Sequence, residues 1–159
     1  MVKRPVEVDL SLPQDVADAK GWLEANGYRL TEAETTLGTW ASHLVFEGPF
    51  RVYVEVERGY WNLHAGRSAA DSHQLQLLMP ACRGVAWTDL FPDSGLNGAG
   101  VQPEGFRWAE ELPPVLAWLA ETDAATVSEQ VGQVKAEMLA QHDRESAERH
   151  RRWKRRNGR

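Results

Sequence analysis

The residues best equipped for chemistry fall in one stretch, TWASHLVFEGPFRVYVEVERGYWNLHAG, residues 39–66. His43, Tyr53, Glu55, Asn62 and His64 recur there at alternating positions of three short segments. Two imidazoles, a phenol and a carboxylate can bind zinc or carry acid–base chemistry. The chain has no HExxH motif and no cysteine pair, so no catalytic residue and no metal ligand is assigned, and no cofactor is expected. Solvated sheet faces routinely carry such residues, and a protein-binding face is the functional alternative ahead of catalysis.

A second cluster closes the chain. RHRRWKRRNGR, from Arg149, holds seven basic residues in eleven, with one tryptophan among them. Arg149, Arg151, Arg152, Lys154, Arg155 and Arg156 can neutralise phosphates, and Trp153 can stack on a base, which suits RNA or a ribosomal contact. The bland alternatives are a solvated basic helix end and a tail lying against the acidic body. Cys82 falls on the apolar stripe of a helical segment and is expected to be a buried, inert thiol. Ser94 lies in a glycine-rich loop without a GxSxG elbow around it.

The elements that position the first cluster follow from periodicity. Phe50, Val52, Val54 and Val56 alternate with Arg51, Tyr53, Glu55 and Glu57, the period-2 signature of a half-buried strand. A three-residue loop, Glu47-Gly48-Pro49, pairs Phe46 with Phe50, Leu44 with Val52 and Trp40 with Val56. At about 25 cal/mol per Å² this register buries more apolar area than a two-residue Gly48-Pro49 loop. A turn at Arg58-Gly59 then sets Trp61 opposite Val56 and Leu63 opposite Val54. The opposite face carries His43, Tyr53 and His64 side by side, with Glu55 and Asn62 one step along.

Elsewhere, Val6, Val8 and Leu10 suggest a first strand, and Ser11 a cap for a helix over Pro13–Asn26 stopped by Gly27. Tyr28, Leu30 and Glu32 start a strand that fades into the Thr/Glu-rich segment 31–36. A helix through Leu75, Leu78, Met79 and Cys82 is expected to kink or end at Pro80. Val85, Trp87 and Leu90 suggest a short strand, and Pro92–Gly105 a long surface loop. Pro113-Pro114 is expected to open a short helix. A longer one, capped at Thr122 or Asp123, carries an apolar seam at Val127, Val131, Val134 and Met138, beyond which it projects or frays. An exposed 127–138 seam would favour a homodimer through that helix. The expected fold is α+β: an antiparallel sheet centred on residues 39–66, packed by helices, with a long C-terminal helix.

A chain of 159 residues suits one domain with a sizeable core. The net charge of −5 hides a division, for residues 142–159 hold eight basic and three acidic residues and residues 1–141 ten and twenty. The expected organisation is therefore an acidic α+β domain over 1–141 and a basic, partly free C-terminal helix or tail over 142–159. One cysteine points to a reducing compartment, and no stretch reads as a signal peptide or a membrane span, so a cytoplasmic location is expected. In general plan (small, acidic, one cysteine, sheet plus helices) the body resembles the immunity proteins that neutralise bacterial toxins. That likeness is one of class and carries over no residues. It implies a non-catalytic protein that binds a basic partner, such as a nuclease toxin, by steered association. The alternative is an RNA- or ribosome-associated accessory protein acting through the tail, and third a small enzyme with a His/Tyr/Glu site on the sheet face.

Overall fold

A computed structural model of the chain describes residue 12 and residues 14–35, 41–57, 60–92 and 106–158. In chain order the elements are α1 (Gln14–Ala25), β1 (Arg29–Thr35), β2 (Ala41–Glu47), β3 (Arg51–Glu57), β4 (Tyr60–Gly66), β5 (Ser72–Gln74), α2 (Leu75–Arg83), α3 (Trp87–Leu90), α4 (Trp108–Glu121) and α5 (Ala124–Asn157). The fold is α+β, with one five-stranded antiparallel sheet in the order β1-β2-β3-β4-β5 and a long C-terminal helix. No described helix is long and apolar enough to cross a membrane. The chain divides into two compact units, one drawn from Met1–Leu75 and Phe106–Ala124, the other from Gln76–Gly105 and Ala125–Arg159. The expected strand at Val6–Leu10, the Ser11 cap, the Arg58-Gly59 turn and most of the Pro92–Gly105 loop lie outside the described residues, whereas the expected Trp40–Val56 pair is replaced, since Val56 faces Ser42.

In the first unit the alternation of β3 is realised as two faces. Val52 and Val54 are buried, while Arg51, Tyr53 and Glu55 are half-exposed. Leu44 and Phe46 from β2, with Leu63 and Ala65 from β4, complete the buried face. Val16, Ala19 and Leu23 of α1 line one small cavity together with Phe46, Val54, Leu63 and Trp108. It stops as expected: Gly27 takes φ +86°, and the Tyr28 N–H donates to the Leu23 carbonyl at 3.0 Å, closing the last turn.

The register of the β2–β3 hairpin differs from the sequence expectation by one dipeptide. Phe46 faces Val52, Leu44 faces Val54 and Ser42 faces Val56, so the loop is Gly48-Pro49-Phe50 rather than Glu47-Gly48-Pro49. Two features replace a Phe46–Phe50 pair. A side chain at Gly48 would sit 2.8 Å from the Tyr28 ring, so the loop needs glycine where it passes that ring. Phe50 instead lies 5.9 Å beneath the Arg67 guanidinium. Because the slip is two residues, every side chain keeps its face. The β3–β4 register is as expected, with Val56 opposite Trp61 and Val54 opposite Leu63. The strand β1 does not fade but continues to Thr35 and pairs with β2 along its length, through a bulge between Leu30 and Glu32.

The helix expected to open at Pro113 begins five residues earlier, at Trp108, and the prolines lie inside it. Its start is fixed from α1: the Trp108 N–H donates to Asp15 Oδ1 at 2.9 Å. Leu112, Val115, Leu116 and Leu119 form a buried stripe that carries the helix through two residues unable to donate a backbone bond. At the other end the Arg67 guanidinium donates to the carbonyls of Leu119 and Thr122, at 3.0 and 2.6 Å. Burial raises the Asp15 carboxyl above its ordinary value of 3.8, against the Trp108 N–H and Arg107, which lower it. A carboxyl with a raised folded pKa contributes fully below its unfolded pKa and loses that contribution as pH rises through the folded one. Asp15→Asn, which keeps an acceptor without the charge, is therefore expected to hold or slightly raise stability at pH 7. Asp15→Ala is expected to cost about 1 kcal/mol. Urea denaturation of both variants at pH 4 and pH 7 checks this.

In the second unit, the segment expected as a strand at Val85–Leu90 contains the short helix α3. The reason is capping from near and far in the chain: Asp89 Oδ2 accepts the Ala86 N–H at 3.0 Å, and the Glu137 carboxylate of α5 accepts the Trp87 N–H at 2.7 Å. Helix α2 accommodates Pro80 in its interior and ends at Gly84, with φ +64°. Cys82, expected to be buried, is half-exposed there. Of the expected seam on α5, Val127, Val131 and Val134 are buried and Met138 is half-exposed. Beyond Met138 the buried side continues as far as Gln141, which is 5 % exposed, and the helix runs on without fraying to Asn157.

Candidate functional site

The second face of the sheet assembles the residues that the alternation placed there. Tyr53 lies directly opposite His64 on β4, with ring centroids 5.8 Å apart and edges meeting at 61°. On its other side Tyr53 is opposite Val45, and the His43 ring sits on the diagonal, again 5.8 Å away. His43 is directly opposite Glu55, which in turn faces Asn62. The five expected residues therefore share one contiguous patch across β2, β3 and β4. Within it the dipeptide slip exchanges neighbours: His43 meets Glu55 squarely and Tyr53 obliquely.

Two further residues belong to the patch. Glu34 on β1 faces His43 and brings a carboxylate oxygen to 3.5 Å from its Nδ1. Arg51 lies 5.8 Å from the Tyr53 ring. The alternation of Thr31, Ala33 and Thr35 with Glu32 and Glu34 was the sequence signal for the missed strand segment. Val45, on this same face, is 2 % exposed, and His43, Tyr53 and His64 are half-covered. The centre of the face is thus a packed row of rings. Glu32, Glu34, Glu47 and Glu55 surround it, answered by Arg51 and by Arg29 opposite Glu47.

Electrostatics follow the burial. The His64 imidazole is held below its usual 6.5, chiefly by desolvation and secondarily by His73, with Glu55 opposing. The Tyr53 hydroxyl is pushed up by desolvation and by Glu55 and Glu34, so it stays protonated. A face with neutral His64 and neutral Tyr53 offers donors, acceptors and ring surface without a buried charge. Among the described residues no group of three His, Cys, Asp or Glu side chains is placed to hold a metal ion.

The lowered His64 pKa carries a pH dependence of stability. The unfolded imidazole takes up a proton first as pH falls, so stability is full above about pH 6.5 and declines below it towards the folded pKa. His64→Asn is expected to flatten the fall in urea midpoint between pH 7 and pH 5. A midpoint difference between wild type and variant that stays constant over that range would count against it.

The basic residues of the tail are also placed. Arg149, Arg151, Arg152, Lys154, Arg155 and Arg156 all lie on the last turns of α5, exposed, with Trp153 61 % exposed among them. The chain matches no protein-family model, no curated protein and no solved structure.

Proposed function

We propose that the protein is a non-catalytic binding protein whose sheet face docks a basic partner protein. The observation that carries this is the half-covered His43–Tyr53–His64 row inside a rim of glutamates. Aromatic residues at the centre of a patch supply most of the energy of a protein interface, because each buries a large area at little entropic cost. Acidic groups at the rim add rate and selectivity by attracting a basic surface. A nuclease toxin, the partner implied by the likeness in plan to immunity proteins, has the required charge.

Affinity capture from cells of the source organism, with the partner then purified for titration, tests the proposal. Tyr53→Ala is expected to weaken binding about 30-fold, the loss typical of a central aromatic. Glu34→Gln is expected to slow association at low salt and to matter little at high salt. A partner bound equally well by the Tyr53→Ala protein would sink the assignment of this face.

A further inference from the structure

Helix α5 does not fray where its buried face ends. Residues 146–158 are all exposed, so about three turns of helix are uncovered among the described residues. They carry Arg149, Arg151, Arg152, Lys154, Arg155 and Arg156 against Glu148. Arg152 is paired with Glu148 one turn back.

The arrangement on the helix selects among polyanions. Arg149, Arg152 and Arg156 follow i, i+3, i+7 spacing and share one side, spanning about 10 Å at 1.5 Å per residue. Trp153 lies among them, four residues after Arg149 and three before Arg156. It is 61 % exposed. The His150 ring is stacked on it, with planes 14° apart and centroids 6.2 Å apart.

We propose that this end of α5 binds single-stranded RNA, with the arginines on its phosphates and Trp153 stacked on an unpaired base. A membrane-surface helix needs an apolar face, and between Gln141 and Asn157 only Ala147 and Trp153 are apolar. A helix docking in an acidic protein groove needs spaced apolar anchors, which are missing for the same reason. A duplex hides the base faces that an indole would stack on, whereas single strands expose them. The proposal is independent of the sheet-face reading, because it concerns residues of a different unit.

Titrating a fluorescent twelve-nucleotide single-stranded RNA of mixed sequence with the full chain, by anisotropy between 50 and 200 mM salt, tests it. Trp153→Ala is expected to weaken binding at least fivefold, with Trp153→Phe recovering most of the loss. Replacing Arg149, Arg152 and Arg156 together by alanine is expected to reduce the slope of log affinity against log salt by about 2. The same RNA annealed to its complement, and vesicles with a third anionic lipid, are expected to bind more weakly than the single strand. Equal or tighter binding of duplex or vesicles would overturn the proposal. So would affinity for the single strand unchanged by Trp153→Ala or by the triple substitution. Circular dichroism verifies that the variants, all at exposed positions, keep the helix.

Discussion

Replacing Gly66 by alanine is expected to destabilise the protein by about 3 kcal/mol, the upper range for forcing atoms into a filled space. Gly66 ends β4, buried, with Ser72 of β5 on one side and Arg51 of β3 on the other. An added Cβ would fall within bonding range of the Asp71 carbonyl oxygen and 2.5 Å from Ser72 Cα. Both obstacles are backbone and cannot rotate away as a side chain could. The turn they belong to is held by the Arg67 N–H, which donates to the Asp71 carbonyl at 3.0 Å. Arg67 also holds the C-terminal carbonyls of α4, so a shift in the turn loosens both the sheet edge and the helix end. Thermal denaturation followed by circular dichroism is expected to show a midpoint lowered by roughly 10 °C. A loss below 1 kcal/mol would mean that β4 and β5 do not approach as closely as described.

Gln141→Leu is expected to cost a similar amount, for a different reason. The Gln141 amide satisfies three buried or part-buried groups. Its Oε1 accepts the Trp87 indole N–H at 2.6 Å, and its Nε2 donates to the carbonyls of Phe91 and Pro92 at 3.1 and 2.7 Å. Trp87 and Phe91 are each fully buried and stacked at 4.3 Å, so water cannot take the place of the amide without opening that stack. Leucine is close in size but leaves the indole N–H without its acceptor and the carbonyls without their donor. At about 1–3 kcal/mol for each buried group left unpaired, a loss near 3 kcal/mol is expected in urea unfolding. Gln141→Glu is the discriminating companion. It keeps the acceptor for Trp87 but sets a second oxygen against two carbonyls, so it is expected to be at least as damaging at pH 7. A Glu variant as stable as the wild type would contradict the hydrogen-bond pattern.

The two faces of the sheet were legible because strand periodicity is independent of how the hairpin closes. A two-residue slip at Gly48-Pro49-Phe50 changes which residues pair and leaves His43, Tyr53 and His64 on the same side. Apolar burial alone favoured Phe46 beside Phe50. The approach of Gly48 to Tyr28 and the guanidinium over Phe50 are contacts between distant parts of the chain, which local pattern does not encode. Glu34 was missed because glutamate and threonine are poor advertisements for a strand, although they alternate with the correct period. Gln141 was legible in principle: Val127, Val131, Val134, Met138 and Gln141 continue one 4-3-4-3 spacing, but a polar residue there reads as the end of the apolar face. The helical start at Trp87 and the early start of α4 share a cause. Carboxylates on other helices, Glu137 and Asp15, satisfy their first N–H groups.

A photo-crosslinking amino acid at position 62 tests the sheet-face assignment most directly. Asn62 is half-exposed, directly opposite Glu55 and two residues from His64 on β4. With p-benzoylphenylalanine in place of Asn62, irradiation in cells of the source organism is expected to give an adduct of defined mass with a basic protein. The same group in place of Glu121, exposed at the end of α4, is expected to give none. No adduct from position 62, or the same adduct from position 121, would contradict docking through the sheet face.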